Sequence, residues 1–336
     1  MTAAADHIVD ILETDSYNAE PARAGRLPNP RRLYDRWEKQ QWAIADVEVA
    51  RDREQWRTMR PYARGQLFEA LSELEVGEVF VSRTLSALVT HAPADEDRIY
   101  LSTQVADEAR HVQFFQDYLH FAVGEEQTVS ESGKQDSESA YGEFFEPQLR
   151  ASIDKVHELD GDRMAWHAAV IEYHLVTEGV LAAAALHSTR QLARRFGLAA
   201  LEEGLGNVAR DESRHLTYGL AATRRLADQG EAEAERVYEV YLAGIRLAAK
   251  VLVNPTHRAV APALRAALMQ RAALVLGQWN ASKDRALRQL RLIGLPDRHE
   301  AIAAAWEQAL AEAMDTYAGN WGVKHPVALA AEHANA

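Results

Sequence analysis

Two short strings in this chain carry the same chemistry: Asp107-Glu108-Ala109-Arg110-His111 and Asp211-Glu212-Ser213-Arg214-His215. Each lies in a stretch whose apolar residues recur at helical spacing. Residues three apart on a helix share a face, so each string offers a carboxylate and an imidazole to one point in space. A single Glu-x-x-His on an amphipathic helix is ordinarily a solvated pair. Two near-identical copies, each preceded by a helix with a glutamate in an apolar stretch, match the ligand set of a two-metal carboxylate site in a four-helix bundle. That set takes one glutamate from each of two helices and a Glu-x-x-His from each of the other two. The candidate metal ligands are Glu78, Glu108, His111, Glu178, Glu212 and His215. Four carboxylates and two neutral imidazoles carry a charge of about −4, suited to two divalent or trivalent cations. Glu178 interrupts the apolar run from Val176 to Ala185, where an ionised carboxylate is costly to bury without a positive partner. The alternative for it is a solvent-facing position. Asp107 and Asp211 each precede a ligand and are read as outer partners that fix a histidine tautomer on a neighbouring helix, with Arg110 and Arg214 either as their counter-charges or as surface charge.

Composition narrows the metal and the partners. The 336 residues include no cysteine, which excludes disulfides, thiolate metal sites, iron–sulfur clusters and a cysteine nucleophile. Oxygen and nitrogen ligands point to iron or manganese rather than structural zinc. Lys plus Arg total 37 against 50 for Asp plus Glu, a net charge of −13, which argues against nucleic acid as a partner. Hydrophobic residues at 47% and charged residues at 26% are the balance of a folded globular chain. No apolar run approaches the roughly 18 residues of a membrane span, and the N-terminus lacks a basic, apolar leader, so a cytosolic location is expected.

The elements that must position these residues follow from spacing. Residues 1–30 are expected to be loosely ordered and 31–320 to form one helical domain, with the metal-binding bundle over about 61–228, added helices over about 232–318, and a frayed tail over 321–336. A short helix is predicted from Arg31 to about Gln40, a partly extended stretch from Gln41 to Val49, and a short helix over Arg51 to Thr58. Helices over about Pro61 to Val89 and Glu96 to Val123 flank the turn His91 to Asp95. Glu78 and Glu108 then lie about 15 residues either side of its middle and come level in an antiparallel hairpin. Helices over about Asp162 to Ala193 and Leu198 to Ala227 flank Arg195-Phe196-Gly197, which puts Glu178 and Glu212 about 17 residues either side of Arg195. A polar insert spans Gly124 to about Tyr141 between the hairpins. Further helices are predicted over about Ala232 to Val253, Ala261 to Leu276, Ala281 to Leu292 and Glu300 to Ala318. No convincing strand pattern occurs, so the fold is expected to be all-α.

Together, Trp42 within Gln41 to Trp56, Gly77-Glu78, the two Asp-Glu-x-Arg-His strings and Tyr173-His174-Leu175-Val176-Thr177-Glu178-Gly179 resemble the ribonucleotide reductase small-subunit superfamily over about residues 35–225. Within it they are most similar to the ligand-binding oxidases. The resemblance implies a ferritin-like four-helix bundle core with extra N- and C-terminal helices, a Mn/Fe or Fe/Fe cofactor that reacts with O2 as co-substrate, and an apolar channel for a fatty-acid-like ligand. It also implies a homodimer; an external electron donor is a further candidate partner. It further implies an ether cross-link between Val81 and Tyr173, whose types match, although both are also ordinary core residues. By the same resemblance Trp42, Asp211 and His111 form an electron relay, the alternative being a structural tryptophan.

Departures order the functional readings. The position of the radical tyrosine, four residues after the first histidine ligand, is Phe115, and Ala331 to Ala336 lacks the acidic, aromatic docking tail. A dimetal oxidase or oxygenase therefore ranks above a radical-generating subunit. His174 lies four residues before Glu178 and is read as an extra ligand or an outer group. An added histidine is a feature of the diiron N-oxygenases, which keeps that chemistry open. A ferritin-like metal-handling protein is the remaining alternative. Small residues at Gly179 and Ala182 to Ala185 leave room for a long ligand, although close helix packing uses such residues too.

Overall fold

The computed structural model describes residues 27–124, 141–158, 162–256 and 272–334, and among these there is no strand. Helix α1, Pro30–Lys39, starts where the Asn29 side chain accepts from the Arg32 amide and Pro30 opens the first turn. Two single 3-10 turns, Ile44–Asp46 and Val49–Asp52, replace the expected extended stretch and lead into the short α2, Arg53–Thr58. Then come the first two bundle helices, α3 at Pro61–Thr90 and α4 at Asp95–Tyr118. Asp95, Glu96 and Asp97 occupy the first turn of α4, where carboxylates complement the helix dipole.

After a π turn, Leu119–Val123, the chain returns in a second π turn, Tyr141–Phe145, and α5, Glu146–Glu158. The patterning does not predict α5, because among its four buried residues, Glu146, Leu149, Ser152 and Val156, only Leu149 and Val156 are apolar. Helix α6, Arg163–Val170, is capped by Asp162, which accepts from the Met164 and Ala165 amides at 2.8 and 3.2 Å. It runs without a break into a π-helix, Ile171–Ala182, and then α7, Ala183–Phe196. Gly197, at φ 69°, adopts the left-handed conformation that a side chain would oppose, and α8 follows at Ala199–Ala227. The hairpins α3–α4 and α7–α8 pack on each other through α3 against α7 and α4 against α8, which closes the four-helix bundle.

Helices α9 (Glu231–Val253), α10 (Ala272–Leu292), α11 (His299–Trp321) and α12 (Pro326–Ala334) complete the chain, with α9 and α10 packed on the π-helix. The helices expected over about 261–276 and 281–292 join from Ala272 onward, because α10 continues through Gly277 and anchors itself on the buried Trp279. The tail expected to fray forms α12 instead. Val327 is buried, and the His325 ring lies 5.7 Å from Trp279 and 4.9 Å from Tyr317. The expected loose N-terminus up to residue 26, most of the polar insert and the start of the 261–276 helix lie outside the described residues. One further expectation is corrected: Arg163–Phe196 is long and apolar enough to cross a membrane by composition. However, 83% of its most apolar window is buried inside the bundle, so it is a core helix.

Candidate metal centre

Each bundle helix delivers its part of the predicted ligand set to one buried point. Helix α3 supplies Glu78, α4 supplies Glu108 and His111, the π-helix supplies Glu178, and α8 supplies Glu212 and His215. Ligand atoms of Glu78, Glu108, His111 and Glu212 lie within 4.8 Å of one another, as do those of Glu108, Glu178 and His215. Glu78, the most accessible of the six, is 8% exposed. His111 Nδ1 faces Glu78 at 3.5 Å and Glu108 and Glu212 at 3.3 Å. His215 Nδ1 faces Glu108 at 3.3 Å, Glu212 at 3.5 Å and Glu178 at 3.7 Å. Glu108 and Glu212 thus stand between the two imidazoles, with Glu78 and Glu178 at the flanks.

Hydrogen bonding tests whether this cluster fits metal ions. His111 Nδ1, His215 Nδ1, Glu108 Oε2 and Glu178 Oε2 are buried and make no hydrogen bond. Unpaired buried polar atoms are destabilising, and here they converge from three helices on a shared space. Four carboxylates in a core repel one another unless cations lie among them. The cluster therefore fits a dimetal site of hard oxygen and imidazole ligands.

The outer nitrogens are wired crosswise. His111 Nε2 lies 3.3 Å from Asp211 Oδ2, and His215 Nε2 lies 3.2 Å from Asp107 Oδ2, so each hairpin's aspartate holds the other hairpin's histidine. This arrangement leaves each Nδ1 turned inward. Arg214 Nη2 donates to Asp107 at 2.9 Å and Asp211 at 2.6 Å, and Arg110 Nη1 reaches the same two aspartates at 3.0 and 3.4 Å. Burial disfavours the Asp107 and Asp211 charges, but the histidine hydrogen bonds and the Arg214 guanidinium outweigh it and hold both carboxyls below their ordinary range. The Arg110 and Arg214 pairings match the expectation from their matched spacing. Trp42 Nε1 donates to Asp211 Oδ2 at 2.7 Å, so Trp42, Asp211 and His111 are in sequence as anticipated.

The π-helix makes one flank unlike the other. Bonding from i to i+5 widens the turn, and it brings Tyr173, rather than His174, onto the face of Glu178. Tyr173 Oη donates to Glu108 Oε1 at 3.0 Å. Burial first, then the Glu108 and Glu178 charges, push the phenol well above its ordinary value and keep it neutral. His174 sits one side chain back: its Nε2 lies 3.0 Å from Gln104 Oε1, while Gln104 Nε2 donates to Glu178 at 2.8 Å and Tyr173 Oη at 3.2 Å. The structure does not bring His174 into the ligand cluster. Burial, and then the His215 charge, lower its pKa to about 3. Gln104, fully buried, was missed by the sequence argument, although it lies four residues before Glu108 on the same helical face. Trp37 was missed too; its Nε1 donates to Asp107 Oδ1 at 3.0 Å. Val81 is buried in the same apolar cluster as Tyr173, and Phe115 is fully buried in a second one.

The room expected beside Gly179 is already filled. A methyl group there would lie 2.4 Å from Gln289 Nε2 and 2.7 Å from Leu216 Cδ1, so the glycine serves close helix packing. Gln289 in turn donates to the Leu175 carbonyl of the π-helix at 3.0 Å and accepts from Tyr241 Oη at 2.8 Å.

Comparison with known proteins places this geometry. The family model for ribonucleotide reductase, small chain, matches residues 27–254. Among solved structures, an R2-like ligand-binding oxidase from Sulfolobus acidocaldarius is similar with a TM-score of 0.60 at 19% identity, covering 84% of this chain and 90% of that one. A valine-to-leucine variant of R2-like ligand-binding oxidase with anaerobically reconstituted Mn/Fe cofactor matches with a TM-score of 0.59 at 16% identity, over 85% and 92% of the two chains. A tyrosine-to-phenylalanine variant with the same cofactor matches with a TM-score of 0.57 at 15% identity over the same shares. At these identities the likeness shows a shared ferritin-like helical fold.

Proposed function

We propose that this chain, which belongs to the ribonucleotide reductase small-chain family, is a dinuclear Mn/Fe or Fe/Fe oxidase that activates O2 and oxidises a bound apolar organic ligand or its own Val81–Tyr173 pair. In this reading Glu78, Glu108, His111, Glu178, Glu212 and His215 hold the two ions, and Asp107 and Asp211 fix the histidine tautomers. The ions, once bound, supply two-electron redox chemistry with dioxygen.

The observation that carries the reading is the hydrogen bond from Tyr173 Oη to Glu108, a carboxylate common to both ligand groups. It sets an oxidisable O–H one contact from the shared ligand, in a core closed to water. Gln104 holds Tyr173 and Glu178 together, so the phenol and the flanking carboxylate keep their relative positions. Oxidative linkage of Val81 and Tyr173 breaks one C–H and the phenolic O–H and forms a C–O bond. The two electrons and two protons would go to dioxygen, which would leave as hydrogen peroxide; bound metal ions would supply the redox chemistry for this transfer.

The second reading is a radical-generating subunit, supported by the Trp42–Asp211–His111 sequence of contacts and weakened by the phenylalanine at position 115. The N-oxygenase alternative loses weight because Gln104 stands between His174 and Glu178. A metal-handling role loses weight because all six side chains are buried. The homodimer and the fatty-acid-like ligand implied by the resemblance go with the oxidase reading, as does the cytosolic location expected from the sequence.

Intact-mass and peptide mass spectrometry on protein loaded with Mn(II) and Fe(II), before and after air, tests the reading. The expected result is a loss of two hydrogens mapped to linked peptides containing Val81 and Tyr173, or a chemically altered apolar ligand extracted from the protein. Metals that stay reduced in air, with no change in either, would contradict it.

A further inference from the structure

We propose that Trp37 is a second one-electron relay into the centre, serving the His215 side as Trp42 serves the His111 side. The inference rests on the dimetal reading above and extends it by giving each histidine its own route to the surface. The contacts repeat around the pseudo-twofold axis. Trp42 Nε1 donates to Asp211 Oδ2 at 2.7 Å, and that oxygen lies 3.3 Å from His111 Nε2. Trp37 Nε1 donates to Asp107 Oδ1 at 3.0 Å, and the other oxygen of Asp107 lies 3.2 Å from His215 Nε2. Both indoles are half-buried, one near the end of α1 and the other in the segment just after it. Each therefore spans the distance from a fully buried aspartate to solvent.

The two routes differ in the charge on the ring. The Arg110 guanidinium carbon lies 5.4 Å over the Trp42 ring, and a cation on that face opposes removal of an electron from the indole. Among the described residues no cation stacks on Trp37; its ring neighbour is Tyr34, 5.8 Å away. Trp37 is therefore the more readily oxidised of the pair. In the step proposed, Trp37 would give up one electron toward an oxidised metal pair held by the six ligands, leaving an indole radical cation whose Nε1–H stays hydrogen-bonded to the Asp107 carboxylate. An external one-electron donor then returns an electron to the ring. No bond forms or breaks, no proton leaves, and the net transfer is one electron from donor to centre.

The test uses the full chain loaded with Mn(II) and Fe(II) and oxidised with air, or with hydrogen peroxide where air leaves the metals reduced. Anaerobic mixing with ascorbate is followed by the decay of the oxidised centre's absorption. Freeze-quench EPR on protein with ring-deuterated tryptophan reads the radical without reference to turnover. Trp37→Phe is expected to slow the decay several-fold, and more than Trp42→Phe does, with the double variant slower than either. Trp37→Tyr is expected to restore part of the rate. Trp37→His, which keeps an N–H for Asp107 but is hard to oxidise, is expected to behave like the phenylalanine variant. A deuterium-sensitive radical signal is expected in wild type and Trp42→Phe, and is expected to be weaker in Trp37→Phe and to be lost in the double variant; an undiminished signal in Trp37→Phe would count against the relay. A wild-type decay rate in Trp37→Phe, or in Trp37→His, would overturn the relay; the second outcome would assign Trp37 to holding Asp107 alone. Failure of air to oxidise the metals counts against oxygen activation, while the peroxide-oxidised protein still decides the relay. Failure to load two ions overturns both.

Discussion

The two flanks of the centre each supply one glutamate but are built differently. On the Glu78 flank, α3 is a regular α-helix, and the glycine before the ligand, Gly77, faces open space. On the Glu178 flank, the chain widens into a π-helix packed from all sides, and a second set of polar groups gathers there: Tyr173, Gln104 and His174. Duplication accounts for two ligand groups and the crossed aspartates. The wide turn accounts for what is not duplicated, namely a phenol bonded to a central carboxylate. In the proposed reading the two half-sites would hold metal alike, and the organic chemistry would lie on the π side.

The largest expected effect comes from removing what the halves share. Glu108→Ala and Glu212→Ala each delete a carboxylate that faces both imidazoles. Both are expected to abolish dinuclear loading in metal analysis by mass spectrometry, and retention of two ions per chain in both variants would contradict the assignment. Next come the crossed partners. Asp107→Asn is expected to weaken metal binding mainly on the His215 side, and Asp211→Asn mainly on the His111 side, each by about 10–100-fold. Titration with Mn(II) followed by EPR checks this; loss on the same-hairpin side would show that the crossing is not functional.

Glycines sharpen the contrast between the flanks. A methyl group at Gly219 on α8 would lie 2.2 Å from His174 Cβ, an atom that cannot swing aside. Gly219→Ala is expected to destabilise the protein by about 1–3 kcal/mol in thermal unfolding. Gly77→Ala meets nothing within 4 Å, and its better helix propensity is expected to leave stability unchanged or raised by up to about 1 kcal/mol.

The last expected effect is acid sensitivity on the π side, where the change per pH unit is small. The folded pKa of His174 is about 3 against 6.5 for the free side chain, because burial and the His215 charge oppose protonation. The unfolded chain binds the extra proton between those values. The contribution is therefore fully present above about pH 6.5 and falls as pH drops toward 3, with a slope of at most about 1.4 kcal/mol per pH unit. His174→Leu is expected to flatten that part of the stability curve, as measured by denaturant unfolding across pH; an unchanged slope would contradict it.

Legibility in the sequence followed the same division. The hairpins were readable because equal arms either side of His91 to Asp95 and of Arg195 to Gly197 fix which residues come level, and helical geometry does the rest. The crossed aspartates were readable because they occupy matched positions in both strings. The π-helix was not. Its wider turn is held by Thr177 Oγ1 on the Glu172 carbonyl at 3.1 Å and by Gln289 on the Leu175 carbonyl at 3.0 Å, the latter from a helix more than a hundred residues away. For that reason α-helical spacing put His174 beside Glu178, where the structure puts Tyr173. Gln104 left a legible trace, one turn before Glu108, whereas Trp37 lay in a segment with no repeat to compare. The C-terminal helix escaped notice because alanine-rich sequence shows little pattern until Val327 and His325 find α10 and α11.

The central claim is that two ions sit in one buried site with one histidine each and carboxylates shared between them. Anomalous diffraction at the manganese and iron edges from crystals of loaded protein tests it most directly. The expected result is two ions, one bound by His111 Nδ1 and the other by His215 Nδ1, with Glu108 reaching both. A single ion, or both imidazoles on one ion through either nitrogen, would contradict the account.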